Sequence, residues 1–201
     1  MKQLLVISGK GGTGKTTLVS SFASLAEEKV LSDCDVDAAD LHLVIDPEIE
    51  VREEFSGAKE AIRDEDKCTN CGICYENCRF DAINEDYEID PFRCEGCGVC
   101  AYVCPENAIR MEDVLSGYSL ESSTAYGKMV HGELRPGEET SGKLVTEIKS
   151  KARDIAGREE ANLLIVDGSP GTGCPVIASL AEVDLALVVT EPTKSGLSDL
   201  K

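Results

Sequence analysis

Gly9-Lys10-Gly11-Gly12-Thr13-Gly14-Lys15-Thr16 is the stretch that decides the fold. It matches G-x-x-x-x-G-K-[ST] at every fixed position. It lies between a short apolar run, Gln3-Leu4-Leu5-Val6-Ile7-Ser8, and a helical pattern over 14–28. A buried strand that ends in glycines and opens into a helix is the context in which this pattern cradles phosphate. The glycines let backbone N–H groups turn toward phosphate oxygens, and the helix N-terminus adds the positive end of its dipole. Lys15 is placed to reach β- and γ-phosphates, and the Thr16 hydroxyl to hold Mg²⁺. The predicted nucleotide contacts are Gly11, Gly12, Thr13, Gly14, Lys15, Thr16 and Thr17.

Working outward, the helix after the loop carries Leu18, Phe22, Leu25 and Ala26 on one face. Val30-Leu31 leads into the acidic run Asp33-Cys34-Asp35-Val36-Asp37. Buried strands are predicted over 162–166 and 185–189, with helices over 142–157 and about 174–181. Strands separated by helices form βαβ units, so the expected class is α/β, a parallel sheet with helices on both faces. Residues 113–142 are polar and Gly-rich, with hairpin strands near 117–121 and 127–134. A Glu- and Arg-rich linker runs to about residue 66. Asp167 directly follows an apolar strand and suits a carboxylate that steadies Mg²⁺ through water. Capping of the next helix is the competing role for it. The glycine-rich loop 168–173 after it is placed to sense a γ-phosphate.

A repeat lies between these halves. Shifted by 26 residues, 68–83 superposes on 94–109, with Lys67 meeting Arg93 just before. Cys68-x₂-Cys71-x₂-Cys74-x₃-Cys78 is followed by Cys94-x₂-Cys97-x₂-Cys100-x₃-Cys104-Pro105. This is the bacterial ferredoxin spacing, twice, in which the fourth cysteine of each run serves the other cluster. One [4Fe–4S] cluster is therefore expected on Cys68, Cys71, Cys74 and Cys104, and a second on Cys94, Cys97, Cys100 and Cys78. Zinc is the competing metal, but it favours CxxC pairs set further apart. Gly72 and Gly98 allow the backbone to approach the inorganic core. Arg79 stands where proline is expected after Cys78, and an arginine close to a cluster would favour its reduced state. The small α+β insert is assigned to residues 63–112, interrupting a nucleotide-binding domain of 1–62 and 113–201.

The composition narrows the partners. The net charge of −18 over 201 residues opposes a nucleic-acid surface or docking on anionic membrane. No run reaches the roughly 18 apolar residues of a membrane span. Ten cysteines without a secretory leader read as metal ligands in a cytoplasmic protein rather than disulfides. Cys34 reads as a small core residue. Cys174 reads either as the same or as a bridging ligand at a dimer interface. His42 and His131 read as isolated, structural or exposed.

The lysine at the second position of the loop, Lys10, makes the motif K-G-G-x-G-K-T. In this the chain resembles the deviant P-loop ATPases of the MinD/ParA superfamily, in a branch with an inserted two-cluster ferredoxin domain. The stretches 132–142 and 171–175 also fit that branch. The resemblance implies ATP as the nucleotide, a homodimer on ATP binding, and a Lys10 that crosses to the partner's nucleotide. It implies that Asp35, in Asp33-Cys34-Asp35, positions the attacking water, with Asp37 and Asp40 as alternatives. It implies that Thr190-Glu191-Pro192 lies near the nucleotide, with Glu191 as a contact. Such members continue beyond this segment, so the chain is expected to stop short of the part that reads adenine. The nitrogenase iron protein is a more distant resemblance, since it lacks the insert.

Three functions fit. The first is an ATPase whose turnover gates electron transfer through two [4Fe–4S] clusters. The second is an ATP-dependent carrier or assembly factor that hands a cluster to an acceptor protein. The third is a binding module that the clusters merely stabilise. Crossed ligation should make clusters buried and stable, which makes them poor cargo and favours the first. The redox or acceptor partner is not identified by the sequence.

Overall fold

The computed structural model describes residues 1–136, 138 and 142–200. Four positions of the 132–142 stretch (Gly137, Glu139, Thr140 and Ser141) and Lys201 lie outside the described residues. The chain divides into two compact units, Met1–Phe55 with Gly117–Lys201, and Ser56–Ser116.

The first unit opens with β1 (Lys2–Ser8), α1 (Lys15–Leu25), β2 (Lys29–Asp33), α2 (Leu41–Ile45) and β3 (Glu48–Phe55). The second unit carries β4 (Ala58–Arg63), α3 (Ile73–Glu76), α4 (Val99–Val103) and β5 (Ile109–Val114). The first unit resumes with β6 (Gly117–Thr124), β7 (Gly127–Leu134), α5 (Gly142–Arg158) and β8 (Leu163–Asp167). It closes with α6 (Cys174–Leu180), β9 (Leu185–Val189) and α7 (Lys194–Asp199).

Its seven-stranded sheet runs β3-β6-β7-β2-β8-β1-β9. From β7 to β9 every pairing is parallel. Period-two alternation then sends neighbouring residues to opposite faces. Leu5, Val30, Val130, Leu164 and Val166 join the core under Leu144, Val145 and Ile148 of α5. Val6, Leu31, Met129 and Ile165 join the core under Val19 of α1 and Leu41 of α2. Helices therefore cover both faces of the sheet.

The expected parallel sheet and hairpin are both present: β6 and β7 form the hairpin, and β6 is antiparallel to both β7 and β3. Two other expectations change. The supposed linker supplies two strands, β3 and β4. All of β3 except Phe55 is exposed, so its charged composition is that of a solvated edge strand. Its alternation, Ile49, Val51 and Phe55, was the available strand signal. On α1 the buried stripe is Lys15, Val19 and Ala23, flanked by the partly buried Phe22 and Ala26. Leu18 is 36% and Leu25 80% exposed, so the stripe sits one residue away from the predicted one.

In the second unit, β4 and β5 pair antiparallel and bring Arg63 opposite Ile109. A bridge of the same sense pairs Ile83 with Ile89. Those two pairs are related by the 26-residue shift of the sequence repeat, as are α3 and the start of α4. Gly72 and Gly98, with φ of 82° and 75°, precede the two short helices in the left-handed conformation that glycine adopts freely.

Candidate functional site

Parallel register gathers the first site at the carboxyl ends of the central strands, where open α/β sheets bind ligands. Asp167, last in β8, stands opposite Val6 of β1 on one side and Asp33 of β2 on the other. Beyond Asp167 the chain must turn tightly under β1. A Cβ at Gly168 would lie 2.7 Å from Ile7 Cγ2 and 2.8 Å from Leu5 Cδ1.

The phosphate loop leaves β1 at Ser8, whose hydroxyl donates to the Lys10 carbonyl at 2.7 Å. Gly12 and Gly14 hold φ of 79° and 93°. Added Cβ atoms at Gly11, Gly12 and Gly14 would meet only open space. The loop is thus a cradle left open on its own side. Thr13 Oγ1 is buried and makes no hydrogen bond within the protein. An orphaned hydroxyl beside open, left-handed glycines fits a phosphate oxygen. Lys10, Gly11, Gly12, Gly14 and Thr17 are exposed, and Thr13 and Thr16 are half-buried.

Lys15 is buried. Its ammonium donates to Asp35 Oδ2 at 3.0 Å and to Asp167 Oδ1 at 3.2 Å. The Thr16 hydroxyl donates to Asp167 Oδ2 at 2.8 Å. The lysine and threonine assigned to phosphate and Mg²⁺ are thus held by carboxylates. Burial works to lower the Lys15 pKa, but Asp167 and Asp35 outweigh it and leave it raised. Burial raises the Asp167 carboxyl despite the Lys15 charge and the Thr16 bond. Asp167 does not cap α6, whose N-cap is Gly173, which removes the competing reading.

Asp33 has a role that the sequence reading missed. Its carboxylate accepts the N–H groups of Asp35 at 3.0 Å and Leu41 at 3.3 Å, pinning both ends of the acidic loop. Burial and the neighbouring Asp167 push its carboxyl well above the usual range. The signal for it was an acid at the apolar end of a strand. Asp37 and Asp40 are exposed, so Asp35 is the member of this run that meets Lys15.

Glu191 lies between β9 and α7, half-buried, and its carbonyl accepts the Thr193 N–H at 2.8 Å. Cys34 is fully buried and its thiol is pushed up to about 12 by burial, as a core residue should be. Cys174 is exposed, which overturns the core alternative for it. His42 and His131 are not isolated. Their rings stack at 6.0 Å and 6°, and His131 is held down to about 4 by burial and by His42.

The second unit holds two thiol-lined cavities. One is lined by Cys78, Cys94, Cys97 and Cys100, with Phe80, Ile89 and Met111. The other is lined by Cys68, Cys71, Cys74 and Cys104, with Tyr87 and Ile109. Each quartet takes three cysteines from one repeat and one from the other, and four thiols around one cavity fit an iron–sulfur cubane. Only Cys74 of the eight is buried, while Cys71 and Cys97 are exposed, so the expectation of buried ligands does not hold for these two.

The family model for a 4Fe-4S binding domain matches residues 61–84 and 87–110. The uncharacterized protein MJ0578 of Methanocaldococcus jannaschii is 40% identical over 200 residues, covering 98% of this chain and 70% of that protein. The uncharacterized protein MJ0579 of the same organism is 30% identical over 213 residues, covering 100% and 74%. Among solved structures, the septum site-determining protein MinD complexed with Mg-ADP from Pyrococcus horikoshii matches with TM-score 0.46 and 15% identity. The Cyanthece apo McdA structure matches with TM-score 0.49 and 17% identity. The chain spans 61% and 62% of the length of those two structures.

Proposed function

We propose, from the premise that the chain belongs to the family of MJ0578 and MJ0579 of Methanocaldococcus jannaschii, that it is an ATPase whose nucleotide cycle gates one-electron transfer through two [4Fe–4S] clusters. The observation that carries this reading is the presence in one chain of both a phosphate cradle with an orphaned Thr13 hydroxyl and two tetrathiol cavities.

When bound, MgATP supplies the phosphoanhydride that water cleaves to ADP and phosphate, and the clusters supply one-electron carriers. The chain's own residues do the rest. One cluster would sit on Cys68, Cys71, Cys74 and Cys104, the other on Cys94, Cys97, Cys100 and Cys78. Two carboxylates, Asp35 and Asp167, stand against one ammonium, Lys15. Polyphosphate therefore needs a divalent cation to enter, which Thr16 and Asp167 would hold. Lys15 would exchange its carboxylates for β- and γ-phosphate oxygens. Asp35, so released, would orient the attacking water. Lys10 is exposed and free to reach the nucleotide of a second copy. Electrons would come from a low-potential one-electron donor protein and leave to an acceptor protein.

The test is an anaerobic, EPR-monitored titration with and without a non-hydrolysable ATP analogue. A displacement of about 59 mV on nucleotide binding, tenfold for a one-electron couple, supports gating. No displacement with both clusters and nucleotide bound overturns it. Lys10→Ala should lower ATP turnover, and unchanged turnover would remove the shared-nucleotide step.

The exposure of Cys71 and Cys97 favours a second reading, delivery of a cluster to an acceptor, because an accessible thiolate is open to exchange. Transfer of a cluster to an apo-ferredoxin within minutes, dependent on ATP, would support delivery over gating.

A further inference from the structure

The insert is a repeat, and the repeat is broken where it matters for redox chemistry. The 26-residue shift that carries Cys68 onto Cys94 carries Arg63 onto Ile89. The structure bears out this equivalence, since Arg63 faces Ile109 across β4 and β5 just as Ile89 faces Ile83. Ile89 lines the cavity of Cys78, Cys94, Cys97 and Cys100. Arg63 instead brings a guanidinium to the other quartet, with Nη1 4.0 Å from Cys68 Sγ. The side chain is only 16% exposed. The same nitrogen donates to the Asp86 carbonyl at 3.3 Å and to Asn70 Oδ1 at 3.5 Å, which hold it over the thiol. Its counter-charge among the described residues is solvated: Glu65 Oε1 lies 3.7 Å from Nη2 and the glutamate side chain is 84% exposed. Arg79, the arginine that the sequence placed near a cluster, is exposed and lines neither cavity. Each cavity has one glutamate in its wall, Glu95 and Glu106, so the two walls match in acidic residues.

We infer that Arg63 is a positioning residue that makes the two cluster sites unequal, raising the reduction potential at the Cys68, Cys71, Cys74 and Cys104 site above that of its repeat partner. The reading rests on the proposed presence of both clusters. A fixed cation beside a thiolate ligand stabilises the added negative charge when a cluster takes up one electron. No bond is made or broken and no proton is needed. The first electron given to the chain by a low-potential donor comes to rest beside Arg63, and the Ile89 side holds the stronger reductant.

The experiment uses the full chain, reconstituted anaerobically, with iron and acid-labile sulfide measured before titration with dithionite. In Arg63→Gln one midpoint should fall, leaving that cluster roughly tenfold less reduced at a fixed potential, ~59 mV for one electron, while the other midpoint stays. Arg63→Lys should recover most of the fall. Glu65→Gln should raise the same midpoint, because the counter-charge is gone, and it decides the matter if Arg63→Gln binds less iron. Unchanged midpoints at full iron content, or equal movement of both, overturn the inference. A wild-type chain that takes up no cluster overturns the cluster reading itself, and the iron analysis separates that failure from this one.

Discussion

The ammonium of Lys15 lies 3.0 Å from the carboxylate of Asp35, twenty residues further along the chain and on a different strand end. Both are buried, and Asp167 completes the group at 3.2 Å. A buried charge left without its partner is costly, by about 3–5 kcal/mol. The pair therefore ties the phosphate loop to the acidic loop, and a nucleotide must replace what it removes.

That competition gives the first prediction. Asp35→Asn releases Lys15 without removing it. ADP should bind at least as tightly as to the wild type by calorimetry. ATP turnover, followed by phosphate release, should drop roughly 10²-fold, the scale of a lost proton-handling or water-orienting group. Loss of ADP binding would instead make Asp35 a scaffold for the loop.

Asp33 should leave a mark on stability against pH. Its folded pKa is raised well above 3.8 by burial first and by Asp167 second. Between 3.8 and that raised value the folded chain binds more protons at this site than the unfolded one, so stability falls as pH rises. Asp33→Asn removes this fall. Urea midpoints measured from pH 4 upward should move in favour of the variant, relative to wild type, as the pH increases. A difference that is flat with pH would show that Asp33 is not the group responsible.

His131 acts in the opposite sense. Burial and His42 lower its pKa from 6.5 to about 4. Within that window the unfolded chain carries the extra proton, so stability is lost as pH falls from 6.5 through about 4. His131→Gln should lack this loss, and the two melting curves should converge on acidification. The check is Tm at half-unit pH steps, with His42 intact in both.

The crossed thiol quartets make a prediction about iron. Cys104→Ser removes one ligand from the cavity of Cys68, Cys71 and Cys74 and none from the other. Iron content after reconstitution should fall by up to half, and the [4Fe–4S] signal of the second cavity should persist with an unchanged midpoint. If the signal of the Cys94, Cys97 and Cys100 site is the one lost, the ligands are not crossed.

The sequence by itself carried the expectations that depend on near neighbours. A glycine loop between a strand and a helix, and cysteines two and three residues apart, are local patterns, so Lys15, Thr16 and the eight cysteines could be picked out as candidates from spacing alone. The α/β class was legible because buried parallel strands are uninterrupted apolar runs. The solvated strand β3 was lost among its charges, since an edge strand buries too little to leave a strong alternation. Tertiary structure alone decided what depends on register and repacking. It placed Asp33 and Asp167 side by side across β2 and β8, joined Lys15 to both Asp35 and Asp167, and stacked His42 on His131. It also separated Arg63 from Ile89, two positions the repeat makes equivalent, by giving only one of them a charge against a thiol. The Asp33–Asp167, Lys15–Asp167 and His42–His131 pairings join residues far apart in the chain, and their energies come from burial and distance, which no run of adjacent residues encodes.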